Sequence, residues 1–534
     1  MLTWQNTGDP CTPETVTFVN HLMPTRTGYT VGLGVSGMTF SNPEVVSADN
    51  TNYSPRGLSY FDSTSTQQLV YTISKKIIKY PGNTDVSRGV AYTNGNFSFA
   101  QWRDRIYAAN GADVLQKATT GSFADVSATA PKFTRIAVAG EFLAGIGLVA
   151  DYVGSARTVT ASPYILMISG VGNPDQFDVD IDTSAYYQDI YDTGGPLTAI
   201  ARLRNFFVVF QKSGVYVVEN VGGAEKWSIR CVTDYYGCEW PDSVIEVNNV
   251  LYWISPTRGG EVVAFDGSQI TPLSTALTAL PICDDSSVYE NGFLSGSPGT
   301  QFLGGITAAT DGETITWLRL VESGGFGIVQ PSCERIYMNI PTSRFGYTGG
   351  LGAALRDPIA VFSNASQSSM LCVYPTQLSS GDNRFVVGAL APDDSVSNRA
   401  YATFYRRGNA QVKISNVDLL FSEYTEKTAM PPMGSGTAFP FPALSENPTL
   451  YWVSSQVTGQ TYSKPESISY TQPAGVWNSA THSFDMPSAT ARSLSAKSFM
   501  FQLLVQPINS LTGFQINYVP SGTGQIGGKA GAWQ

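Results

Sequence analysis

Apolar positions along this chain fall in short runs of β-branched and aromatic residues, and the three-to-four spacing of an amphipathic helix is hard to find over three or more turns. Gln68 to Ile73, Phe206 to Phe210, Val215 to Glu219, Val250 to Ile254 and Arg384 to Val387 are examples, each predicted as a strand. Several runs are paired across short polar turns. In NFFVVFQKSGVYVVENV the stretch Gln211 to Gly214 separates two such segments and predicts a hairpin. QQLVYTISKKIIKYPG repeats the device, and VIEVNNVLYWISPTRGGEVVAFDG places Asn248 and Asn249, then Arg258 to Gly260, where turn chemistry is needed.

These hairpins follow one another as antiparallel meanders. A strand, a turn and a second strand, as in DRIYAANGADVLQKA, lead through a Pro- or Gly-marked link to the next group. The interval of roughly 40 to 60 residues suits propeller blades, with a stacked sandwich as the competing architecture. The predicted fold class is therefore all-β: an irregular β-propeller of antiparallel meander blades with an additional C-terminal β-sandwich-like domain. Around Met430 to Pro442 the chain reads MPPMGSGTAFPFP, unsuited to a central strand. That break sets the expected boundaries: a propeller body with loop insertions over 1–425, a Pro/Gly-rich loop or linker over 426–447, and a C-terminal β-domain with a flexible tail over 448–534.

Composition supports strands and turns. Charged residues make up 14% of the 534-residue chain, aromatics 12%, with Gly 52 and Pro 30; a typical globular chain is about a quarter charged. Disorder requires low hydrophobicity and high charge density, which 42% hydrophobic content opposes. The formal charge of −10 disfavours a surface that grips phosphates over many contacts. An acidic surface would instead let a duplex slide past. The start, MLTWQNTGDP, has no basic region followed by an apolar core, and the apolar stretch Phe142 to Ala150 is too short to span a bilayer, so neither a secretory signal nor a membrane span is expected.

No residues are nominated as catalytic, cofactor-binding or metal-binding, and no cofactor is expected. The two histidines, His21 and His482, fall in the first and last expected domains, and His21 in VNHLMP reads as a turn or interface residue. Cys11, Cys231, Cys238, Cys283, Cys333 and Cys372 are scattered, and the closest pair, Cys231 and Cys238, lacks a partner pair for zinc, so buried thiols are expected. The acidic run DQFDVDID, Asp175 to Asp182, would set carboxylates along one strand face, suited to solvent more than to a calcium loop. TDGETITW, Thr310 to Trp317, is close to the Asp-box of sialidase propellers but has Gly312 directly after Asp311, which predicts a DG turn followed by a strand. GLGVSG, Gly32 to Gly37, lacks the strand-to-helix context of a dinucleotide site, so its glycines are assigned to turns. Lys75 with Lys76 and Arg406 with Arg407 suit salt-bridged interfaces or, repeated by symmetry, a ring of positive charge.

The order of phrases from Gln101 to Ser274 resembles the propeller of tail nozzle proteins of short-tailed bacteriophages, also called tail tubular or packaged-DNA stabilisation proteins. QWRDRIYAANGADVLQKA, PKFTRIAVAGEFLAGIG and ISGVGNPDQFDVD carry the likeness, with Gly172, Asn173, Pro174, Asp175 and Phe177 at the family's step into a Gly, Pro and aromatic turn. PLTAIARLRNFFVVFQKSGVYVVENVGG and YYGCEWPDSVIEVNNVLYWISPTRGGEVVAFDGSQITPLS resemble consecutive blades, with Gly237, Pro241, Gly260, Asp266 and Gly267 at matching turns. ERIYMNIPTSRFGYTG is similar too, although Phe345 stands where a tryptophan is usual, and Pro448 to Pro520 looks like the β-domain that follows the propeller.

The resemblance implies a non-enzymatic structural protein of the virion tail, assembled in the host cytoplasm as a homo-oligomeric, sixfold ring. Its expected partners are the portal-side adaptor (head-to-tail connector) proteins and tail fibre, spike or needle proteins. Its channel would pass double-stranded DNA without sequence preference. A receptor-binding or polysaccharide-degrading virion propeller is the alternative; a glycosidase would need two carboxylates about 5 to 9 Å apart.

Overall fold

The run Phe206–Gln211 shows how the ring is built. Phe207 and Val209 point to one face of their sheet and join a core with the preceding sheet, while Val208 and Phe210 point to the other face and join a core with the following one. A strand buried on both faces reads as a continuous apolar run, because each blade is sandwiched between two neighbours. The computed structural model describes residues 55–273 apart from 74, 83, 192–193, 224–225 and 258–260, then 306–321, 332–348, 358, 360–377 and 383–392, together with 16–20, 22–26, 29–31, 33–36, 401–423, 449–455, 476–478, 483–485, 495–504 and 510–520.

Seven four-stranded antiparallel blades form a β-propeller. Their innermost strands are Gly57–Phe61, Ser98–Trp102, Phe133–Ala139, Leu197–Leu203, Ile245–Val247, Ile306–Thr310 and Ala360–Ser363, and blades 1 to 7 are numbered in that order. Among the described residues there is no α-helix, and a turn of 3₁₀ helix lies at Pro241–Ser243. Blade 3 carries an inserted two-stranded hairpin, Tyr152–Val153 with Thr158–Val159.

Six apolar clusters run round the ring and close it. One joins blades 1 and 2, the next 2 and 3, then 3 and 4, 4 and 5, 5 and 6. The last joins blades 6, 7 and 1, with Tyr337, Val361, Met370 and Tyr71 in one cluster. Two indoles tie neighbouring segments as well as filling volume. Trp253 Nε1 donates to Gly237 O at 3.1 Å, and Trp317 Nε1 on blade 6 donates to Ser243 O, ahead of blade 5, at 2.9 Å.

Closure uses an early piece of the chain. Leu33–Ser36 is the outermost strand of blade 7 and pairs with Asn383–Pro392, Gly34 lying opposite Ala391 and Val35 opposite Leu390. This corrects the assignment to a turn at Gly34, which sits within a strand, where main-chain pairing outweighs glycine's weak strand preference; Gly32 and Gly37 lie outside the described residues.

The sheet of blade 6 continues outward. Arg344–Thr348 pairs with Leu22–Pro24 at Tyr347 and Leu22, that strand pairs with Tyr29–Val31, and Tyr29 meets Leu511 of Ser510–Pro520. The 23-residue strand Tyr401–Glu423 then pairs with Ser510–Pro520, Ser495–Leu504, Ser483–Asp485 and Val16–Asn20. Among the described residues, the strand before residue 425 is thus paired with C-terminal strands and with Val16–Asn20, and not with a blade. The expected linker 426–447 lies outside the described residues.

Candidate functional site

All seven inner strands or their lead-in residues border one cavity of about 210 Å³ on the propeller axis. Arg56, Ser98, Arg135, Ile200, Asp242, Thr307 and Val361 represent blades 1 to 7 in its wall. Its charged residues come from positions far apart in sequence. Arg56 enters blade 1 with its backbone fixed by Thr72, whose Oγ1 accepts from Arg56 N at 2.9 Å and whose N donates to Arg56 O at 2.7 Å. Arg135 lies within the inner strand of blade 3 and donates from Nη1 to Phe97 O at 3.3 Å. Asp242 sits in the 3₁₀ turn ahead of blade 5, where Pro241 at the first turn suits a helix start and Ser243 Oγ donates to Trp240 O at 2.7 Å.

The two guanidinium groups converge on one carboxylate oxygen. Arg135 Nη2 lies 3.3 Å from Asp242 Oδ2, and Arg56 Nη1 is in direct contact with the same atom. Arg56 is 9% exposed, and its Nε has no hydrogen-bond partner. Burial pulls its guanidinium below the ordinary pKa, Asp242 acts in the opposite direction, and Arg135 adds to the lowering. The cluster carries one more positive than negative charge. Thr307, 3% exposed, accepts from Val361 N at 3.0 Å through Oγ1 and retains a hydroxyl proton to donate. Such a set can hold an acceptor group. The described residues lining the cavity include no histidine, cysteine or lysine.

The acidic run is organised differently from the expected strand face. Gly170 to Ser184 is a series of turns between Ser162–Ile168 and Tyr186–Asp189, so its carboxylates diverge. Asp175 accepts from Tyr107 Oη at 2.8 Å and from Lys117 Nζ at 2.5 Å. Asp178, 4% exposed, accepts from Ser155 N at 2.5 Å and Asp180 N at 2.9 Å; the hydrogen bonds outweigh burial and hold it below the usual carboxylate range. Asp180 pairs with Arg157 through two bonds of 3.0 and 2.7 Å, and Asp182 accepts from Ser184. Gly172, with φ +66°, and Asn173 make the turn, and Phe177 drops into the core between blades 2 and 3 against Phe133, ring centroids 5.2 Å apart. Among the described residues no group of three or more His, Cys, Asp or Glu side chains could hold a metal ion.

His21 and His482 lie outside the described residues, as do Cys11, Cys283 and Gly260. Cys231 and Cys238 do not form a pair. Cys238 is buried between blades 4 and 5, its Sγ 3.2 Å from Trp240 O, and burial pushes its thiol up to about 12. Cys231 is exposed on Lys226–Thr233, which corrects the expectation of burial: the outer strand of blade 4 turns that residue away from the core. Cys372 is buried. Gly237 passes so close to blade 4 that an added Cβ would lie 2.3 Å from Gln211 O and Lys212 O. Asp266 caps the turn at Gly267, φ +97°, by accepting from Ser268 N at 2.8 Å and Gln269 N at 2.9 Å, bonds that hold its carboxyl down at about 2. Asp311 and Gly312, φ +88°, form the expected turn before Thr314–Val321. Phe345 is buried between blades 5 and 6. Lys76 pairs with Asp85 at 3.2 Å inside blade 1, and the strand carrying Arg406 and Arg407 pairs at those positions with Phe499 and Ser498.

No family model matches the chain, and no curated protein does. Among solved structures, it is similar to a chain of the mitotic checkpoint complex at 7% identity and a TM-score of 0.34, covering 67% of this chain and 97% of that one. It is also similar to YjhT, at 10% identity and a TM-score of 0.29 over 59% of this chain and 95% of the other. A third similarity is to a protein from Lactobacillus plantarum, at 9% identity and a TM-score of 0.32 over 67% and 92%. The assignment as a seven-bladed propeller rests on the sheet order and the ring of interblade cores.

Proposed function

We propose that this chain is a structural subunit of a short-tailed phage tail, the nozzle ring through which viral DNA is retained and then ejected, with the adaptor above it and fibre, spike or needle proteins around or below. The observation that supports this reading best is the continuity of blade 6 with the outer sheet. Strands from both ends of the sequence carry main-chain pairing from Arg344–Thr348 through Leu22–Pro24 and Tyr29–Val31 to the 23-residue strand Tyr401–Glu423. A propeller joined to a second sheet by backbone hydrogen bonds resists shear better than one hung on a loop, which suits a part that transmits force between neighbours. The net charge of −10 fits a surface past which a duplex slides.

Electron microscopy of the purified protein with light scattering for mass tests the reading. A closed ring, expected to be sixfold, with an axial opening of duplex width supports it. A protein that stays monomeric beside its tail partners, or forms a solid trimer, refutes it. Release of oligosaccharide from host capsule or lipopolysaccharide would support the polysaccharide-degrading alternative instead.

A further inference from the structure

The axial cavity holds an electrostatic imbalance that its own residues do not resolve. Two arginines from blades 1 and 3 share one Oδ2 of Asp242, and Arg56, 9% exposed, has an Nε without any acceptor. A cluster serving only to pin the blades would be expected to balance its charges and saturate its donors, because an uncompensated cation or unpaired donor away from water is costly. A guanidinium presents its N–H groups as a fixed fork that matches the two oxygens of a carboxylate or phosphate. The Thr307 hydroxyl supplies a further donor in the same wall. About 210 Å³ leaves room for a small molecule and not merely for a single water.

We infer that the axial cavity of the propeller is a binding site for a small oxyanion, a carboxylate or phosphate group, held by Arg56 and Arg135, with Thr307 as a further donor. Asp242 positions both guanidinium groups and, in the unliganded protein, partly neutralises them. It also competes with the ligand. The site lies within one subunit, so it stands whether or not the chain forms a nozzle ring.

The test uses the full-length protein, titrated with inorganic phosphate or with acetate against sodium chloride at matched ionic strength, read by thermal midpoint and by calorimetry. Saturable, single-site stabilisation by phosphate or by acetate is expected, and which of the two saturates identifies the ligand class. Arg56→Gln should weaken that binding by about tenfold or more, the usual cost of losing a charge-assisted contact. Asp242→Asn, which removes the competing charge and keeps the shape, should tighten it several-fold. The inference fails if neither oxyanion stabilises the protein more than chloride does, or if Arg56→Gln binds as tightly as the unaltered protein. Should Arg56→Gln not fold, Asp242→Asn decides: unchanged or weaker binding overturns the inference.

Discussion

Phe177→Ala tests whether the acidic turn segment is an anchored part of the ring. Phe177 is 1% exposed, lies in the core between blades 2 and 3, and packs on Phe133 at 5.2 Å between ring centroids. Truncating a buried phenylalanine costs about 3–5 kcal/mol when the cavity cannot collapse, part of it from the lost aromatic pair. Collapse is hindered because the hydrogen bonds of Asp175 and Asp178 fix the chain on either side. With an unfolding entropy of about 2.1 cal/mol/K per residue over the roughly 340 residues of the ring, a loss of ~4 kcal/mol lowers the thermal midpoint by about 6 °C. Calorimetry or circular dichroism measures this, with Phe61→Ala as the control, since Phe61 is 43% exposed. If Phe177→Ala and Phe61→Ala shift the midpoint equally, or neither shifts it by more than about 1 °C, Phe177 does not anchor the segment.

Gly237→Ala should destabilise the protein by about 1–3 kcal/mol, because the new Cβ meets backbone and not a movable side chain, and denaturant titration reads the loss. Cys238, with its thiol at about 12, should stay unlabelled by an alkylating reagent at pH 8 in the folded protein while exposed Cys231 reacts, as peptide mass mapping would show. The Asp266 carboxyl is lowered from 3.8 to about 2 in the folded protein, so its contribution is present above pH 4 and is lost as pH falls through about 2. Asp266→Ala should therefore flatten the acid limb of thermal midpoint against pH, whereas an unchanged limb would show that the cap does not matter.

The local rules of the ring are legible in the sequence. Asn248 and Asn249 take φ values of 53° and 62°, the doubly left-handed turn that an asparagine pair suggests, and Val250–Ser255 begins directly after them. A recurring signal is easier to miss: Arg103, Gly140 and Arg204, with φ values of 52°, 57° and 55°, open two-residue turns between the first and second strands of blades 2, 3 and 4. Arginine is a poor marker for left-handed backbone, so two of these turns carry no Gly or Asn cue at that position. The run DQFDVDID misleads for a related reason. Its alternation imitates a strand, but Asp178 and Asp182 accept backbone N–H groups two residues ahead, from Asp180 and Ser184, and stabilise turns. The closing role of Leu33–Ser36 depends on pairing with residues beyond position 380, which periodicity does not encode.

The axial cavity shows why site chemistry was less legible than fold. Arg56, Arg135 and Asp242 belong to no motif, and each taken singly reads as an ordinary surface charge. Ring closure makes them neighbours, since every inner strand faces the same axis. The formal charge of −10 also conceals them, because net charge sums over the whole chain while two arginines in one cavity wall set the field locally. The two readings therefore rest on separate parts of the molecule. In the proposed nozzle ring, passage of a duplex would depend on the exterior that faces a channel between subunits, whereas the inferred oxyanion binding would depend on the interior of one propeller. Reversing the charge of exposed acidic residues should alter the first without touching the second, and Arg56→Gln should do the opposite.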